Sequence, residues 1–274
     1  MKISIYTFVR NGIYYDYHVV EMLKHHLDLA DEIIVNEGYS TDGTYEAIKN
    51  LNPKIRIFRS KWDDLDFKNF WIQFKNEARK RCTGDWCILL DCDEFIPEWE
   101  FEHLKEFLFK TEKEIIPLKF INFYGNYKVY IKDPLKHKMA KYNYRIHRNI
   151  PQLEVCGDGS NVRFKGKKIE PFNTYDGPWF TVHHFGAVRD PAKLREKWHW
   201  QSRFYIKTIK NRIKIPKIFF RLFPYQWDDP QFLDNLEIYE GPYIKAVRNN
   251  PKEFVRDDFY LYNLLRRSKR DKCR

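Results

Sequence analysis

The chain has 274 residues, which is enough for one large domain, or one domain with an appendage, around a buried core. Apolar residues make up 43% of it and aromatic residues 18%, a composition that excludes an intrinsically disordered protein. Its formal net charge of +11 favours anionic partners: nucleotide phosphates, acidic glycans, nucleic acid or an anionic membrane surface.

The first hundred residues alternate short apolar runs with amphipathic segments. The apolar runs, which predict buried strands, are at 2–9, 32–36, 55–59 and 86–90. The amphipathic segments, which predict helices, are at 19–29, 41–50 and 69–81. Strands and helices that alternate at these spacings form βαβ units, so we predict an α/β fold with a mostly parallel sheet flanked by helices.

The pattern changes after Pro97. A helix is predicted at 98–109, strands at 115–123 and 128–131, and a long helix at 193–211. We therefore divide the chain into an α/β domain at 1–190 and a mainly helical C-terminal extension at 191–274.

An acidic cluster, Asp91-Cys92-Asp93-Glu94, directly follows the fourth predicted strand. Open α/β sheets bind their ligands at the carboxyl ends of strands. If the extended geometry continues, Asp91 and Asp93 project to the same side, where two carboxylates suit Mg²⁺ or Mn²⁺. Such a metal can bridge the phosphates of a nucleotide diphosphate and neutralise the leaving group. The alternative is a polar turn whose acids are only solvated.

A second polar cluster, VNEGYSTDGT at 35–44, ends the second predicted strand. An acidic side chain there can accept hydrogen bonds from the base or ribose of a nucleotide. Thr41 or Asp42 can cap the helix that follows, which is the more ordinary role for both residues.

Four segments together resemble the family 2 glycosyltransferases, whose fold is known as GT-A. They are the first strand with Arg10-Asn11-Gly12, the stretch NEGYSTDGT, the stretch GDWCILLDCDEF, and a later His-His-Phe-Gly. The resemblance covers about the first hundred residues well. It implies a GT-A domain that transfers a sugar from a nucleotide-diphosphate sugar, with Mn²⁺ or Mg²⁺ as cofactor.

The resemblance also implies which residues bind the nucleotide. Phe8 and Arg10, at the end of the first strand, would lie against it. Glu37 would take the place of the family's usual aspartate, which contacts the base or the ribose. Asp91 would face the ribose or the metal.

For the metal, the resemblance implies that Asp93 is a direct ligand and that His184 closes the site, with Asp91 as a further ligand. His184 also has support of its own, because imidazole binds Mn²⁺ well and 181–185 has the pattern of a strand. Its neighbour His183 should point the other way and lie in the core. The alternative is that His184 is an ordinary structural histidine.

Family 2 enzymes generally invert the anomeric centre, which requires a carboxylate base near the acceptor hydroxyl. The candidates between the acidic cluster and His184 are Glu154, Asp158 and Asp176. We predict Asp158 as the catalytic base, because the glycines on either side of it place it in a loop. The alternative is an ordinary Asp-Gly turn.

The predicted helix that begins at Lys193 mixes lysine and arginine with tryptophan and tyrosine. It could place Arg195 or Lys197 at the diphosphate, or it could contact a membrane surface or a nucleic-acid strand. A solvated basic face is the ordinary interpretation. The acceptor therefore stays open among a glycan, a lipid-linked glycan such as lipopolysaccharide, and a modified nucleic acid.

Two other functional classes compete with sugar transfer. A nucleotidyltransferase or sugar-nucleotide pyrophosphorylase shares the sheet and the metal chemistry, but it would have a Gly-rich basic loop where this chain has Arg10-Asn11-Gly12. A non-enzymatic nucleic-acid-binding protein would use the +11 charge. It would not explain two acidic strand ends, which repel phosphates unless a metal is bound.

The five cysteines have no CxxC pair, which argues against a disulfide scaffold or a zinc finger. The sequence contains no signal-peptide pattern and no apolar stretch of about 18 residues. These features predict a cytoplasmic protein without a transmembrane segment, with peripheral contact to the inner membrane face left open.

Overall fold

The structure is a computed structural model that describes residues 1–62, 70–137, 142–157, 159–168, 175–190, 192–194, 196–197 and 234–248. The helices are α1 (Val19–His25), α2 (Thr44–Ile48), α3 (Phe70–Arg79), α4 (Phe101–Lys110) and α5 (Lys245–Arg248). The strands are β1 (Ile3–Val9), β2 (Glu32–Glu37), β3 (Ile55–Arg59), β4 (Trp86–Leu89), β5 (Glu94–Phe95), β6 (Ile115–Tyr124), β7 (Asn126–Ile131), β8 (Tyr142–Arg148), β9 (Leu153–Cys156), β10 (Asn161–Phe164), β11 (Lys167–Lys168), β12 (Phe180–Ala187) and β13 (Leu236–Ile238).

The first four strands form the parallel part of the main sheet, in the order β3-β2-β1-β4. Strands β2 and β4 are buried along their whole length, and β1 nearly so, which explains why these strands are near-continuous apolar runs. The predicted α/β fold is confirmed in this half of the sheet. Because the strands are parallel, their carboxyl ends meet at one edge.

The remaining strands extend and curl the sheet. Strand β8 runs antiparallel to both β4 and β6, while β12 runs parallel to β6 and antiparallel to β5. A path through paired neighbours leads from β4 to β8, β6, β12 and β5. Since β5 follows β4 along the chain, this path returns to its start, and the strands form a closed circuit. The acidic cluster begins in the connection from β4 to β5 and ends at Glu94, the first residue of β5, so β8, β6 and β12 can all supply side chains to it.

Helices cover both faces of the parallel strands. On one face Ile3 and Ile5 of β1 share a core cluster with Met22 of α1 and Leu104 of α4. On the other face Tyr6 packs in a cluster that includes Ala78 of α3. Each fully buried aliphatic side chain stabilises the fold by about 1.5–3 kcal/mol, so this two-sided burial holds the strand ends in place.

The helix boundaries differ slightly from the sequence prediction. Helix α2 begins at Thr44, because Gly43 has a left-handed φ of +90° that no helix can include. The Asp42 carboxylate accepts a hydrogen bond of 3.0 Å from the Thr44 backbone N–H. Asp42 therefore accepts the first N–H of the helix from the position before the N-cap, and the N-cap residue itself is Gly43.

The described part of the C-terminal extension packs against the main sheet. Strand β13 pairs antiparallel with β7, and Val247 of α5 belongs to the main core cluster. The predicted helix at 193–211 lies largely outside the described residues, although 192–194 and 196–197 are helical. Among the described residues, no helix combines the length and the apolar character needed to span a bilayer.

Candidate active site

The acidic cluster forms a turn instead of continuing the strand. The Glu94 backbone N–H donates a hydrogen bond of 3.0 Å to the Asp91 carbonyl, which closes a turn at Cys92 and Asp93. The extended geometry that would align Asp91 with Asp93 therefore ends before the cluster. As a result the two carboxylates contact different sets of cations.

Asp91 faces two cations from neighbouring elements. Its carboxylate lies 3.0 Å from Lys75 Nζ of α3 and 3.3 Å from Arg145 Nη2 of β8. Burial favours the neutral acid, but the charges of Lys75 and Arg145 outweigh it and lower the pKa of Asp91. Arg145 also pairs with Glu94 at 2.6 Å, so it ties both ends of the turn together.

Asp93 is almost fully buried, with 4% of its side chain exposed. Its Oδ2 atom lies 2.7 Å from Arg189 Nη2 and 3.6 Å from Lys197 Nζ. Its Oδ1 atom faces His184 Nε2 at 3.6 Å. Burial opposes ionisation, yet the charges of Lys197 and Arg189 hold the pKa of Asp93 well below its usual range.

His184 is neutral and has one ring nitrogen turned towards Asp93. Burial lowers the pKa of His184 to about 4, despite the nearby Asp93 carboxylate. Its Nδ1 atom lies 2.8 Å from Oδ1 of Asn122 on β6. With Nδ1 hydrogen-bonded in this way, Nε2 and the Asp93 oxygen offer one nitrogen and one oxygen to a divalent cation.

Asp93 and His184 offer a divalent cation two protein ligands, which leaves coordination positions for water and substrate oxygens. Among the described residues, no three His, Cys, Asp or Glu side chains form a metal-binding group. Mg²⁺ is commonly held by one or two protein ligands together with waters and substrate phosphates, and the Asp93–His184 pair suits that arrangement. The Asp91 carboxylate contacts Lys75 and Arg145 instead, and its predicted role as a further metal ligand stays a prediction.

Four cations surround three carboxylates in this region. The carboxylates are Asp91, Asp93 and Glu94, and the cations are Lys75, Arg145, Arg189 and Lys197. Burial lowers the pKa of Lys197 to about 8, helped by Arg189 and opposed by Asp93. The site therefore combines a small acidic centre with basic side chains that suit the phosphates of a nucleotide.

The predicted nucleotide residues lie at the same edge of the sheet. Phe8 is beside Asn36 in the β1–β2 register, and Glu37 ends β2. The Phe8 ring packs against Trp62 and Trp71 at centroid distances of 5.4 and 5.7 Å. Arg10 follows β1 and is half-buried.

Glu37 has a structural role in the described structure. Its carboxylate is completely buried and accepts hydrogen bonds from the backbone N–H groups of Tyr39 (3.1 Å) and Ser40 (2.6 Å). It also binds Arg59 Nε at 2.6 Å, and Arg59 in turn stacks on the Tyr39 ring at 4.2 Å. Glu37 thus orders the loop after β2, and its predicted contact with a nucleoside stays a prediction.

The predicted base, Asp158, lies outside the described residues. Its neighbour Gly159 lies against the site, because a Cβ atom on Gly159 would come within 2.8 Å of Lys75 Nζ and Arg145 Nη1. Of the other two candidates, Glu154 is exposed on β9 and Asp176 forms an exposed ion pair with Lys113.

Sequence comparison decides the family. The Glycosyl transferase family 2 profile matches residues 17–170, more than half of the chain. The chain belongs to glycosyl transferase family 2. The resemblance stated from the four sequence segments is confirmed, and membership in this family makes the protein a glycosyltransferase. No curated protein sequence matches the chain.

Several solved structures have a similar arrangement at low sequence identity. S. aureus TarS 1-349 is 12% identical with a TM-score of 0.41, over 80% of this chain and 68% of that one. The same protein in complex with UDP-GlcNAc is 13% identical with a TM-score of 0.44, over 80% and 69%. Glucosyl-3-phosphoglycerate synthase from Mycobacterium tuberculosis, in complex with Mn²⁺, UDP and glucosyl-3-phosphoglycerate, is 20% identical with a TM-score of 0.32, over 45% of each chain.

Sequence reasoning missed several residues of this family 2 site. Lys75, Arg145, Arg189 and Asn122 were not singled out, although the structure brings all four to the acidic turn. Arg145 is buried in the middle of β8, but the largely polar sequence of this strand gave no signal that it is buried. By contrast, His183 lies in the core beside Trp99 and Tyr239, as the alternation of β12 predicts.

Proposed function

We propose that this chain is a metal-dependent glycosyltransferase that moves a sugar from a nucleotide-diphosphate donor to an acceptor hydroxyl, with inversion at the anomeric carbon. The observation that carries the proposal is the facing pair Asp93 Oδ1 and His184 Nε2, 3.6 Å apart beside the carboxyl end of a parallel strand. Family membership supports sugar transfer, and the acid–imidazole pair supports a metal at the diphosphate.

In this proposal Asp93 and His184 would hold Mn²⁺ or Mg²⁺. The metal, when bound, supplies positive charge that stabilises the diphosphate leaving group. Both Lys197 and Arg189 lie on the other oxygen of Asp93. Lys197 is partly exposed and would bind phosphate oxygens of the donor, whereas Arg189 is fully buried and holds the Asp93 carboxylate. Their charges add to the stabilisation of the leaving group.

The nucleoside would occupy the edge formed by the ends of β1, β2 and β4. Phe8 offers an aromatic surface and Arg10 a cation at that edge, and Asp91 offers a carboxylate to the ribose. Lys75 and Arg145 hold Asp91 ionised and oriented. Glu37 would contribute chiefly by ordering the Tyr39–Ser40 loop.

Asp158 is the proposed base. As the acceptor oxygen attacks the anomeric carbon and the bond from that carbon to the diphosphate oxygen breaks, the Asp158 carboxylate would take the acceptor proton. Support comes from Gly159, which touches the Lys75–Arg145 pair, whereas Glu154 and Asp176 are exposed. Inversion follows from a single displacement with the base on the face opposite the leaving group.

The acceptor is proposed only by class. The formal net charge of +11 supports an anionic acceptor, such as an acidic or lipid-linked glycan or a modified nucleic acid. Family membership disfavours a nucleotidyltransferase and a non-enzymatic nucleic-acid-binding protein. Peripheral contact with an anionic membrane at the cytoplasmic face belongs to the same proposal.

A thermal-shift panel tests the donor and the metal together. UDP-, GDP-, CMP- and dTDP-sugars are each added with and without Mn²⁺, and we expect at least one nucleotide-diphosphate sugar to raise the melting temperature only when Mn²⁺ is present. Asp93→Asn and Asp93→Ala should abolish that metal-dependent increase, because both remove the charged oxygen that faces His184.

The control is Asp176→Asn, which removes a carboxylate from an exposed ion pair away from the turn. This variant should keep the full metal-dependent increase. A panel in which no donor stabilises the wild-type protein, with or without Mn²⁺, would contradict the proposed function.

A further inference from the structure

The second ring nitrogen of His184 is held by a buried amide. Strands β6 and β12 run parallel with His184 beside Asn122, so the two side chains share one face of the sheet. Asn122 is only 3% exposed, and its Oδ1 atom lies 2.8 Å from His184 Nδ1. The Phe120 ring contacts the imidazole edge at a centroid distance of 6.0 Å. The ring is therefore fixed from two sides.

The two contacts of the imidazole differ in a way that indicates its tautomer. A neutral imidazole carries one N–H, and an Nε2–H group beside the ionised Asp93 would form a charge-assisted hydrogen bond of about 2.7–2.9 Å. The observed separation from Asp93 Oδ1 is 3.6 Å, beyond hydrogen-bond length. That spacing suits two acceptors that face each other, with the proton on Nδ1.

An asparagine side chain at this position carries a free-energy cost. The Nδ2 atom of Asn122 is buried and has no hydrogen-bond partner among the described residues. A buried donor without a partner costs about 1–3 kcal/mol, whereas a leucine or valine could fill the same space without that cost. The oxygen of Asn122 must therefore have a use beyond packing.

We propose that Asn122 is a positioning residue: it accepts the Nδ1–H of His184 and so leaves the Nε2 lone pair free to bind the divalent cation together with Asp93. The proposal rests on the metal site of the proposed function. Histidine ligands of metals generally donate their other N–H to such a partner, and loss of the partner typically weakens metal binding about 10–100-fold.

The tautomer is tested without metal, donor or turnover. In protein labelled with ¹⁵N-histidine, the two-bond ¹H–¹⁵N correlation pattern distinguishes Nδ1–H from Nε2–H, and His184→Gln identifies the resonances of His184. We expect Nδ1–H in the wild-type protein and in Asn122→Asp, which keeps the acceptor and removes the unpartnered amide nitrogen. An Nε2–H pattern in the wild-type protein would overturn the proposal.

Metal affinity is tested by electron paramagnetic resonance of free Mn²⁺ during titration with Mn²⁺ alone. Asn122→Ala should bind Mn²⁺ about 10–100-fold more weakly than the wild-type protein. Asn122→Asp should bind within about threefold of wild type, because a carboxylate accepts the same N–H. If Asn122→Ala does not fold, the aspartate variant and the wild-type tautomer still decide the question.

A matched control is Asn143→Ala on β8. Asn143 is also buried, with 6% exposure, and its side-chain oxygen has no hydrogen-bond partner within the described part of the chain. Its substitution should leave Mn²⁺ affinity unchanged. If wild type and Asn122→Ala bind Mn²⁺ equally, the role of Asn122 is wrong and the metal site stands. If the wild-type protein binds no Mn²⁺, the proposed metal site fails and the role of Asn122 fails with it.

Discussion

At the scale of single residues, Glu37 was predicted to contact the nucleotide, and the structure shows that it also stabilises the fold. Its buried carboxylate accepts two backbone N–H groups and the Arg59 guanidinium. We expect Glu37→Gln to lower the free energy of unfolding by about 2 kcal/mol, because the amide turns a donor towards groups that only donate. The midpoint of urea unfolding measures this change.

The matched control at this scale is Glu102→Gln on α4, whose carboxylate is 84% exposed and pairs with Lys105. This variant should change stability by less than about 0.5 kcal/mol. Equal stability of Glu37→Gln and wild type would contradict the structural role of Glu37. Donor affinity of the folded variant then tests the nucleoside contact separately.

At the scale of elements, the loop between β9 and β10 lies against the candidate active site at Gly159. This residue has a φ of +83°, and an added Cβ would lie 2.8 Å from both Lys75 Nζ and Arg145 Nη1. Gly166 in the next turn has a similar φ of +77° but open space around it. A comparison of the two glycines therefore separates the effect of the left-handed backbone from the effect of crowding Lys75 and Arg145.

We expect Gly159→Ala and Gly166→Ala each to cost about 1 kcal/mol of stability from the left-handed backbone. Only Gly159→Ala should also reduce the thermal stabilisation by donor and Mn²⁺, because it displaces the cations that hold Asp91. Urea unfolding and the donor panel measure the two effects. Equal donor responses in both variants would show that the loop does not touch the site.

At the scale of the whole molecule, buried histidines make stability depend on pH. Burial lowers the pKa of His147 to about 4 and that of His183 to about 3, from an ordinary value near 6.5. Burial also lowers the pKa values of His25 and His26. The folded state therefore binds fewer protons than the unfolded state between pH 6.5 and about 4.

It follows that the contribution of these histidines to stability is full above pH 6.5 and falls as the pH drops towards 4, by about 1.4 kcal/mol per pH unit for each such histidine. Glu94 offsets part of this loss, because burial raises its pKa to about 8. Urea unfolding at pH 7.5, 6.5, 5.5 and 4.5 measures the slope. His147→Gln should flatten it, and a slope identical to wild type would count against a buried neutral His147.

The sequence by itself determined the parallel half of the fold and its edge. Buried parallel strands must be near-continuous apolar runs, so β1, β2 and β4 were visible as such. Strand β3 was predicted to be buried too, but it is the partly exposed edge strand of the sheet. Polar residues directly after these parallel strands had to meet at one edge. The family followed from the same segments, since the acidic cluster and the STDGT stretch lie at those strand ends.

Only the tertiary structure decided how the acidic cluster is used. The turn at Cys92 and Asp93 separates the two aspartates, because one hydrogen bond from Glu94 to Asp91 replaces the extended geometry. The cations around them come from α3, β8 and the segment after β12, which are far apart in sequence and meet only because the strands close a circuit. Local pattern carries no information about such contacts, since they depend on the register of strands that pair across more than fifty residues.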